Sequence, residues 1–331
     1  MKALAHAVLR TLADGEFHSG ATLAAAAGMS RASVWHAIRE LETGGLTIYK
    51  VRSRGYRLSA PVDVLDGDRI RDRLGALASR FQLDVRGAVA STSTALLEAA
   101  AHGAPTGRVI VAELQTAGRG RLGRPWLSGI GASLTFSLLW RFERGAGWLG
   151  GLSLAVGIAV ARVLRREGAR DVGLKWPNDV LWHGCKLAGI LIELHGEAMG
   201  PSAAVIGIGL NIRLPEHLRD GIDQPVTDVE RACGAAVDRN ALLAALLAEL
   251  AAVLDAFADG GLAPLREAWL AYDLNAGREV LLRRADGSTE SGIAQGIAED
   301  GALLLATPDG VRRYHSGEVS LRARAQTRNS A

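Results

Sequence analysis

The sequence predicts an α+β protein of several domains: a helical DNA-reading module, a central α/β domain and a small antiparallel barrel. Three observations carry that expectation. The first 62 residues space their apolar positions as short helices followed by a hairpin. Residues 63–271 alternate apolar strands with helices around one loop, Gly118-Arg119-Gly120-Arg121-Leu122-Gly123-Arg124-Pro125-Trp126. Residues 272–323 hold short strands punctuated by Asp-Gly pairs, the chemistry of tight hairpins. At 331 residues the chain has room for two or three domains.

Composition narrows the class. Apolar residues make up 48% of the chain, enough for a large core. No uninterrupted apolar run reaches the ~20 residues that span a bilayer. The nearest, Leu149 to Leu164, bears glycines and reads as a buried helix. The N-terminus lacks the apolar stretch of a signal peptide. Cys185 and Cys233 are the only cysteines, which gives no disulfide framework and points to a reducing cytoplasm. The net charge is +3, unevenly placed. Residues 1–60 carry eight Lys or Arg against four Asp or Glu, a surplus of four, so the remainder sums to −1. A basic end on a near-neutral body suggests a polyanion partner.

Leu4, Ala7, Val8 and Leu12 sit at helical spacing and give a first helix that stops near Gly15. Ser19 can cap a second helix through Ala27, Gly28 supplies the turn, and Ser30 can cap a third. Val34, Ile38 and Leu41 form its inward stripe, and it ends at Gly44-Gly45. Helix, glycine turn, helix is the spacing of a DNA-reading helix-turn-helix. Arg31, Ser33, Trp35, His36 and Arg39 would line its outer face. Leu46 to Lys50 and Tyr56 to Leu58 read as a wing, with Arg52 and Arg54 at a tip suited to phosphates. A small helical domain for protein contact has the same pattern of apolar positions. Ala60-Pro61 marks the linker.

In the central stretch, Val64 to Leu77 reads as a helix and Phe81 to Val89 as a strand. Ser91-Thr92-Ser93-Thr94 then opens the helix Ala95 to Ala101, either as a cap or as a set of ligand hydroxyls. Arg108 to Gln115 is the strand that feeds the Gly-Arg loop. Glycines let backbone approach a ligand, and arginine forks match phosphate or carboxylate oxygens. The loop therefore reads as a clamp for a phosphorylated small molecule. A disordered Arg-Gly segment would repeat and lack flanking strands.

Ala132 to Trp140 is a further strand, and Leu149 to Arg166 a core helix. Pro177 ends the strand through Lys175-Trp176. A lysine between Leu174 and Trp176 needs an anionic partner, and Asp179 stands near enough in sequence to orient it or a metal ion. Val180 to His183 and Lys186 to Leu194 form a hairpin, followed by a strand from Ala204 to Ile212. Gly189, Gly207 and Gly209 suit either a flat ligand lying on the sheet or close packing. Arg213 to Thr227 reads as a polar loop, and Asn240 to Ala258 and Leu262 to Leu270 as helices. Beyond 271, strands are expected at 279–283, 292–297, 303–305 and 319–321, with turns at Asp286-Gly287, Asp300-Gly301 and Asp309-Gly310. Residues 324–331 read as a frayed end.

With these residues assembled, the chain resembles the bifunctional biotin–protein ligases that double as biotin-operon repressors, from about residue 3 to 322. The matching stretches are Gly15-Glu16-Phe17-His18-Ser19-Gly20, Gly28 to Ala32, Gly118 to Trp126, Lys175 to Asp179, Lys186 to Ile190, Gly207 to Asn211 and Ser316 to Arg322. Their order and separation make the resemblance specific. It implies a winged helix-turn-helix (1–62), a class II synthetase-like ligase domain with a mainly antiparallel sheet (63–271) and an SH3-like barrel (272–323). It implies that biotin and Mg-ATP give biotinyl-5′-AMP, and that a lysine of a biotin carboxyl carrier protein takes the biotinyl group. It implies that Ser91, Thr92, Ser93, Gln115 and the Gly118–Arg121 backbone, Gly120 included, hold biotin. Arg119 and Arg121 would fold over the adenylate phosphate and Lys175 would meet the biotin carboxylate. Arg121, Arg124, Trp126 and Asn211 would surround the adenylate, with Asp179 as a candidate Mg²⁺ ligand. The sequence departs from the family at Ala90 and Ser93, where members often carry Asp and Asn, and at Pro225-Val226, where some carry Trp.

Physical chemistry supports those roles. Adenylation brings a carboxylate against phosphates, so cations must offset the repulsion. A mixed anhydride hydrolyses if wet, so a lid that orders over it protects it. Adenylate-favoured dimers through the central sheet would set two winged domains on a palindromic duplex. A ligand-sensing transcription factor without catalysis, and a lipoate-type ligase, are the alternatives. The first has no use for a phosphate clamp, and the intact Gly-Arg and Lys-Trp-Pro-Asn-Asp stretches favour biotin over the second.

Overall fold

Capping serines set the boundaries of the N-terminal helices in the computed structural model, which describes residues 1, 3–196, 200–284, 287–315 and 319–323. α1 (Ala3–Leu12) buries Ala5, Val8, Leu9 and Leu12, so its stripe is turned away from the expected Leu4 and Ala7. Ser19 Oγ accepts the Thr22 N–H at the start of α2 (Gly20–Ala26). Ser30 Oγ does the same for Ser33 at the start of α3 (Arg31–Thr43). Val34, Ala37, Ile38 and Leu41 turn inward. β1 (Ile48–Val51) and β2 (Gly55–Leu58) form the antiparallel wing. Gly55 has φ +100°, and a Cβ there would stand 2.1 Å from the His18 carbonyl oxygen. Only glycine lets the wing lie against the α1–α2 connection, where His18 and Tyr56 exchange two backbone hydrogen bonds of 2.9 Å.

The linker enters the central domain beside a buried ion pair. Arg239 and Glu113 side chains are 1% and 0% exposed and meet at 2.8 Å. Arg239 also donates to the carbonyls of Asp63 and Ser133, and Glu113 accepts the Leu65 N–H. Asn240 accepts from the Asp66 N–H and donates to the Val64 carbonyl. These side chains satisfy an extended backbone that would otherwise bury unpaired polar groups. Hence α4 (Gly67–Leu74) starts later than the expected Val64, capped by Asp66, and a 3₁₀ turn runs on through Arg80.

The central sheet is built from β3 (Gln82–Val89), β4 (Arg108–Gln115), β5 (Ser133–Phe142), β6 (Val172–Lys175), β7 (Asp179–Trp182), β8 (Cys185–Gly196) and β9 (Ser202–Asn211). Its order is β3-β4-β5-β9-β8-β7-β6, with β3 and β4 parallel and every other pair antiparallel. Side chains alternate along each strand. Val109, Val111, Leu134, Phe136 and Leu138 face α6 (Leu152–Arg166) and the long helix Arg239–Gly260. Ile110, Leu139, Ala203 and Val205 face α5 (Thr92–Ala101). The stretch expected as a polar loop holds a short helix α7 (Glu216–Asp220), followed by α8 (Val229–Cys233); the long helix is α9 and the last is α10 (Arg266–Leu270). By length and apolarity, Ala146–Arg166 and α9 would each suffice to cross a membrane, more than the sequence reading allowed. Both are instead packed into the core.

β10 (Glu279–Arg284), β11 (Thr289–Ile297), β12 (Leu303–Thr307), β13 (Gly310–Tyr314) and β14 (Val319–Ala323) form an antiparallel sheet ordered β13-β12-β11-β10-β14. A bulge between Ala294 and Ile297, with Gly296 at φ +82°, bends β11. Asp300-Gly301 is a turn as expected. Pro308-Asp309 makes the expected hairpin turn, with Gly310 paired to Thr307 at the start of β13, a strand not anticipated because four of its five residues are exposed. Asp286, Ser316 to Glu318 and residues 324–331 lie outside the described residues. Val280, Leu282, Ile297 and Leu303 join the core of the central domain. Trp176 Nε1 donates to the Gly301 carbonyl at 3.0 Å, fixing the segment beside Lys175.

Candidate active site

The site lies on the α5 face of the central sheet, where α5 stops covering it. Ser91 caps α5, accepting the Thr94 N–H. Gln115 Oε1, at the end of β4, accepts the Thr92 N–H at 2.8 Å and lies 3.1 Å from Thr92 Oγ1. Ser137 on β5 bonds both Thr92 Oγ1 at 2.8 Å and Ser93 Oγ at 3.0 Å. The cap reading of the Ser-Thr run therefore holds at Ser91, while Thr92 and Ser93 join a buried polar network. Ser137 was not singled out from the sequence, since a serine inside an apolar strand carries no local signal. A Cβ at Gly207 would stand 2.5 Å from Ser93 Oγ, so this glycine serves close packing of α5 on β9.

The Gly-Arg loop is closed on itself. The Trp126 N–H donates to the Gly118 carbonyl at 2.9 Å, and the Gly120 N–H to the Arg124 carbonyl at 2.7 Å. Leu122 tops it with φ +56° and 62% exposure. The Trp126 indole folds back onto the sheet. A Cβ at Gly209 would lie 2.5 Å from that ring, and one at Gly189 3.3 Å from it. These two glycines make a flat floor, and an aromatic ring already lies over it. Trp126 Nε1, Ser133 Oγ and Asn211 Oδ1 are buried without a hydrogen-bond partner. Ser133 and Asn211 are register partners on β5 and β9. Unsatisfied buried groups of this kind mark a place for a polar ligand.

The cations divide. Arg121 Nη1 donates to Asn178 Oδ1 at 3.0 Å, and Asn178 in turn donates to the Ile190 carbonyl. Burial lowers the Arg121 pKa, opposed by Asp179 and aided by Arg124. An anion placed there would relieve that desolvation. Arg119 points elsewhere, to Thr94 Oγ1 at 3.0 Å and Glu193 at 3.1 Å, so it is not folded over the floor. Arg124 is exposed. Lys175 is half-buried at the end of β6, opposite Asp179 in the ladder. Asp179, the carboxylate expected to orient Lys175, pairs with Lys186 Nζ at 2.7 Å, each side chain 16% exposed. Lys186 Nζ lies 5.9 Å from the Trp126 ring centroid and would be 3.3 Å from a Gly189 Cβ. Lys186 thus brings an ammonium to the floor. Its signal in the sequence was a lysine three residues before Gly189. Pro225 and Thr227 hold the Lys186 backbone by two hydrogen bonds, so the Pro225-Val226 segment borders the site.

Among the described residues no group of three or more His, Cys, Asp or Glu stands ready for a metal ion. Asp179, the expected Mg²⁺ ligand, is here engaged by Lys186.

On the winged domain, Arg31, Trp35, His36 and Arg39 are exposed on α3, and Arg52 and Arg54 at the wing tip. Ser33 is half-buried, its hydroxyl 2.9 Å from Ser30 Oγ. Arg54 stacks over Phe17 at 4.1 Å, and Arg57 lies between Phe17 and Tyr49 at 4.8 and 5.4 Å. Phe17, Tyr49 and Arg57 thereby join the basic face, though the sequence did not single them out.

Comparison with known proteins identifies the family. Residues 87–211 match the biotin/lipoate A/B protein ligase family, 276–322 the biotin protein ligase C-terminal domain and 5–57 an HTH domain. The bifunctional ligase/repressor BirA of Salmonella typhimurium is 40% identical over 316 residues, covering 96% of this chain and 97% of that one. The Escherichia coli protein of the same name is 39% identical, covering 96% of each. The structure of the Aquifex aeolicus biotin protein ligase in complex with biotin and ATP superposes with a TM-score of 0.63 at 31% identity, over 73% of this chain and 99% of that one. Winged module, central ligase domain and C-terminal domain are each matched in turn, and the chain belongs to the BirA family of bifunctional biotin ligase/repressors.

Proposed function

We propose that the protein activates biotin with ATP to biotinyl-5′-AMP, releasing pyrophosphate, and passes the biotinyl group to a lysine of a biotin carboxyl carrier protein. The observation that carries this is the floor of Gly189 and Gly209 under Trp126, rimmed by Lys186, Arg121 and the unsatisfied Ser133 and Asn211. A flat ureido bicycle would lie beside the Trp126 ring that covers this floor, with Gln115, Thr92 and Ser93 supplying hydrogen bonds near Ser91. The tail carboxylate then runs past Gly118 and Gly120 toward the cations.

Attack of that carboxylate on the α-phosphate joins two anions. Lys186, with Lys175 behind it, and Arg121 offset the charge that gathers there. When bound, Mg²⁺ would supply charge neutralisation on the departing pyrophosphate, and Asp179 is the carboxylate that would hold it. Arg119, Arg124 and Trp126 close over the adenylate when the loop orders, Arg119 leaving Glu193. The acceptor amine then attacks the acyl carbon and AMP departs.

The winged domain binds operator DNA and the adenylate-loaded chain acts as a repressor. Beyond Gly189, β8 is bonded to β9 but no longer to β7, and Leu194 on that stretch is 43% exposed. This open edge is our choice for a homodimer contact. We read the C-terminal sheet as an SH3-like barrel, the domains as 1–62, 63–271 and 272–323, and the compartment as the cytoplasm. One assay tests the enzyme: protein, ATP, Mg²⁺, a carrier domain and radiolabelled biotin or lipoate. Label is expected on the carrier from biotin. Label from lipoate, or from neither, overturns the reading in favour of a lipoate ligase or a pure sensor.

A further inference from the structure

The recognition helix α3 displays an unburied indole. Trp35 is 50% exposed, while Val34, Ala37 and Ile38 beside it are 1%, 2% and 0%. It therefore takes no part in the core of the winged domain. Arg39, one helical turn on, stands with its guanidinium carbon 5.6 Å from the indole centroid, and His36 meets the ring edge-on at 5.0 Å. Trp and Arg also occur together in protein-docking patches, so the charge of the whole module decides the partner. Here Arg31, His36 and Arg39 are also exposed, in a module with a surplus of four positive charges, which suits a polyanion.

We propose that Trp35 and Arg39 form a two-part base reader, with the indole packing on the 5-methyl of a thymine and Arg39 forking to O6 and N7 of a guanine. This rests on the reading of the winged domain as an operator-binding module and names what that module reads. In the major groove the methyl distinguishes thymine, and the two acceptors of guanine match the arginine fork. Stacking on the indole holds the guanidinium plane ready for that bidentate contact. Cβ atoms one turn apart are separated by about 5–6 Å, and successive bases on a strand by about 3.4 Å. The thymine and guanine thus lie within two base pairs of each other. Arg52, Arg54 and Arg57 on the wing grip phosphates, which positions the helix without choosing a sequence.

The test offers the full chain, with biotin and Mg-ATP, a random-sequence duplex pool and sequences what is retained. The recovered half-site should contain a thymine and a guanine within two base pairs. Replacing that thymine by deoxyuridine removes only the methyl and should weaken wild-type binding about fourfold, the worth of one buried methyl-sized group. Trp35→Ala, and Trp35→Asn as a second variant, should bind the thymine and uracil duplexes equally. Arg39→Gln should lose about tenfold or more of the preference for guanine. A selected site that wild type binds equally with thymine or uracil overturns this readout and leaves operator binding standing. Sensitivity to uracil that persists in both Trp35 variants also overturns it. A pool with no enriched sequence overturns operator binding as well.

Discussion

Gly209 and Gly189 admit the Trp126 ring because neither carries a side chain, and that close fit gives a sharp test. Gly209→Ala sets a methyl 2.5 Å from the ring and drives the indole off the floor. Overpacking of this sort costs about 1–3 kcal/mol of stability, so the melting temperature should fall by a few degrees and, with the indole displaced, KM for biotin should rise roughly tenfold. An unchanged KM in steady-state assays would remove Trp126 from the ligand site. Lys186 gives a second test. Lys186→Ala should slow ATP–pyrophosphate exchange by about 10²–10³-fold, on the scale of a lost oxyanion donor. Full exchange activity in that variant, with loss in Lys175→Ala, would return the leading role to Lys175. The sequence reading put Lys175 at the site and passed over Lys186. A bulge between Val180 and Leu181 shifts the β7–β8 register, and that shift sets where Lys186 falls relative to Asp179.

Elements with chemical end-stops were legible and elements without them were not. Ser19 and Ser30 announce α2 and α3, and the structure uses both as caps. β13 was missed because Gly310-Val311-Arg312-Arg313 shows no buried face of its own. The start of α4 was misplaced because Val64 and Leu65 are held extended by Arg239, Glu113 and Asn240, partners far away in sequence. Asp66, the true cap, offers a test at this scale. The backbone N–H of Arg69 holds its carboxyl below the usual 3.8, against a burial cost, with help from the Asp68 N–H, Arg10 and Arg69. Its contribution is therefore full above pH 3.8 and fades as pH falls through the lower folded value. Asp66→Ala should lose about 1 kcal/mol at neutral pH. In urea denaturation that gap from wild type should close under acid conditions; a gap constant with pH would contradict the capping role.

At the scale of the whole molecule, the winged and central domains share buried surface. His6 on α1 packs against Gly87 on β3, its Nε2 buried without a partner. Burial pushes its pKa below 6.5, opposed by Glu113 and aided by Arg10. The unfolded chain therefore takes up this proton first as pH falls. Stability is full above pH 6.5 and declines below it, toward the folded value. His6→Gln should flatten that decline in urea midpoints measured between about pH 7 and 5; an unaltered slope would locate the dependence elsewhere. Ile130 makes a second join. It leaves the segment just after the Gly-Arg loop, is 6% exposed, and inserts into the apolar cluster of the winged domain. Its Cδ1 would be 2.7 Å from a Cβ at Gly44, the residue that ends α3. Cutting the chain after residue 62 would thus strip this isoleucine and Val64 of their cover. A lineage that discarded its DNA-reading head would be pressed to repaint both positions with polar residues, so the amino acids found there in headless relatives should record whether a head was ever attached.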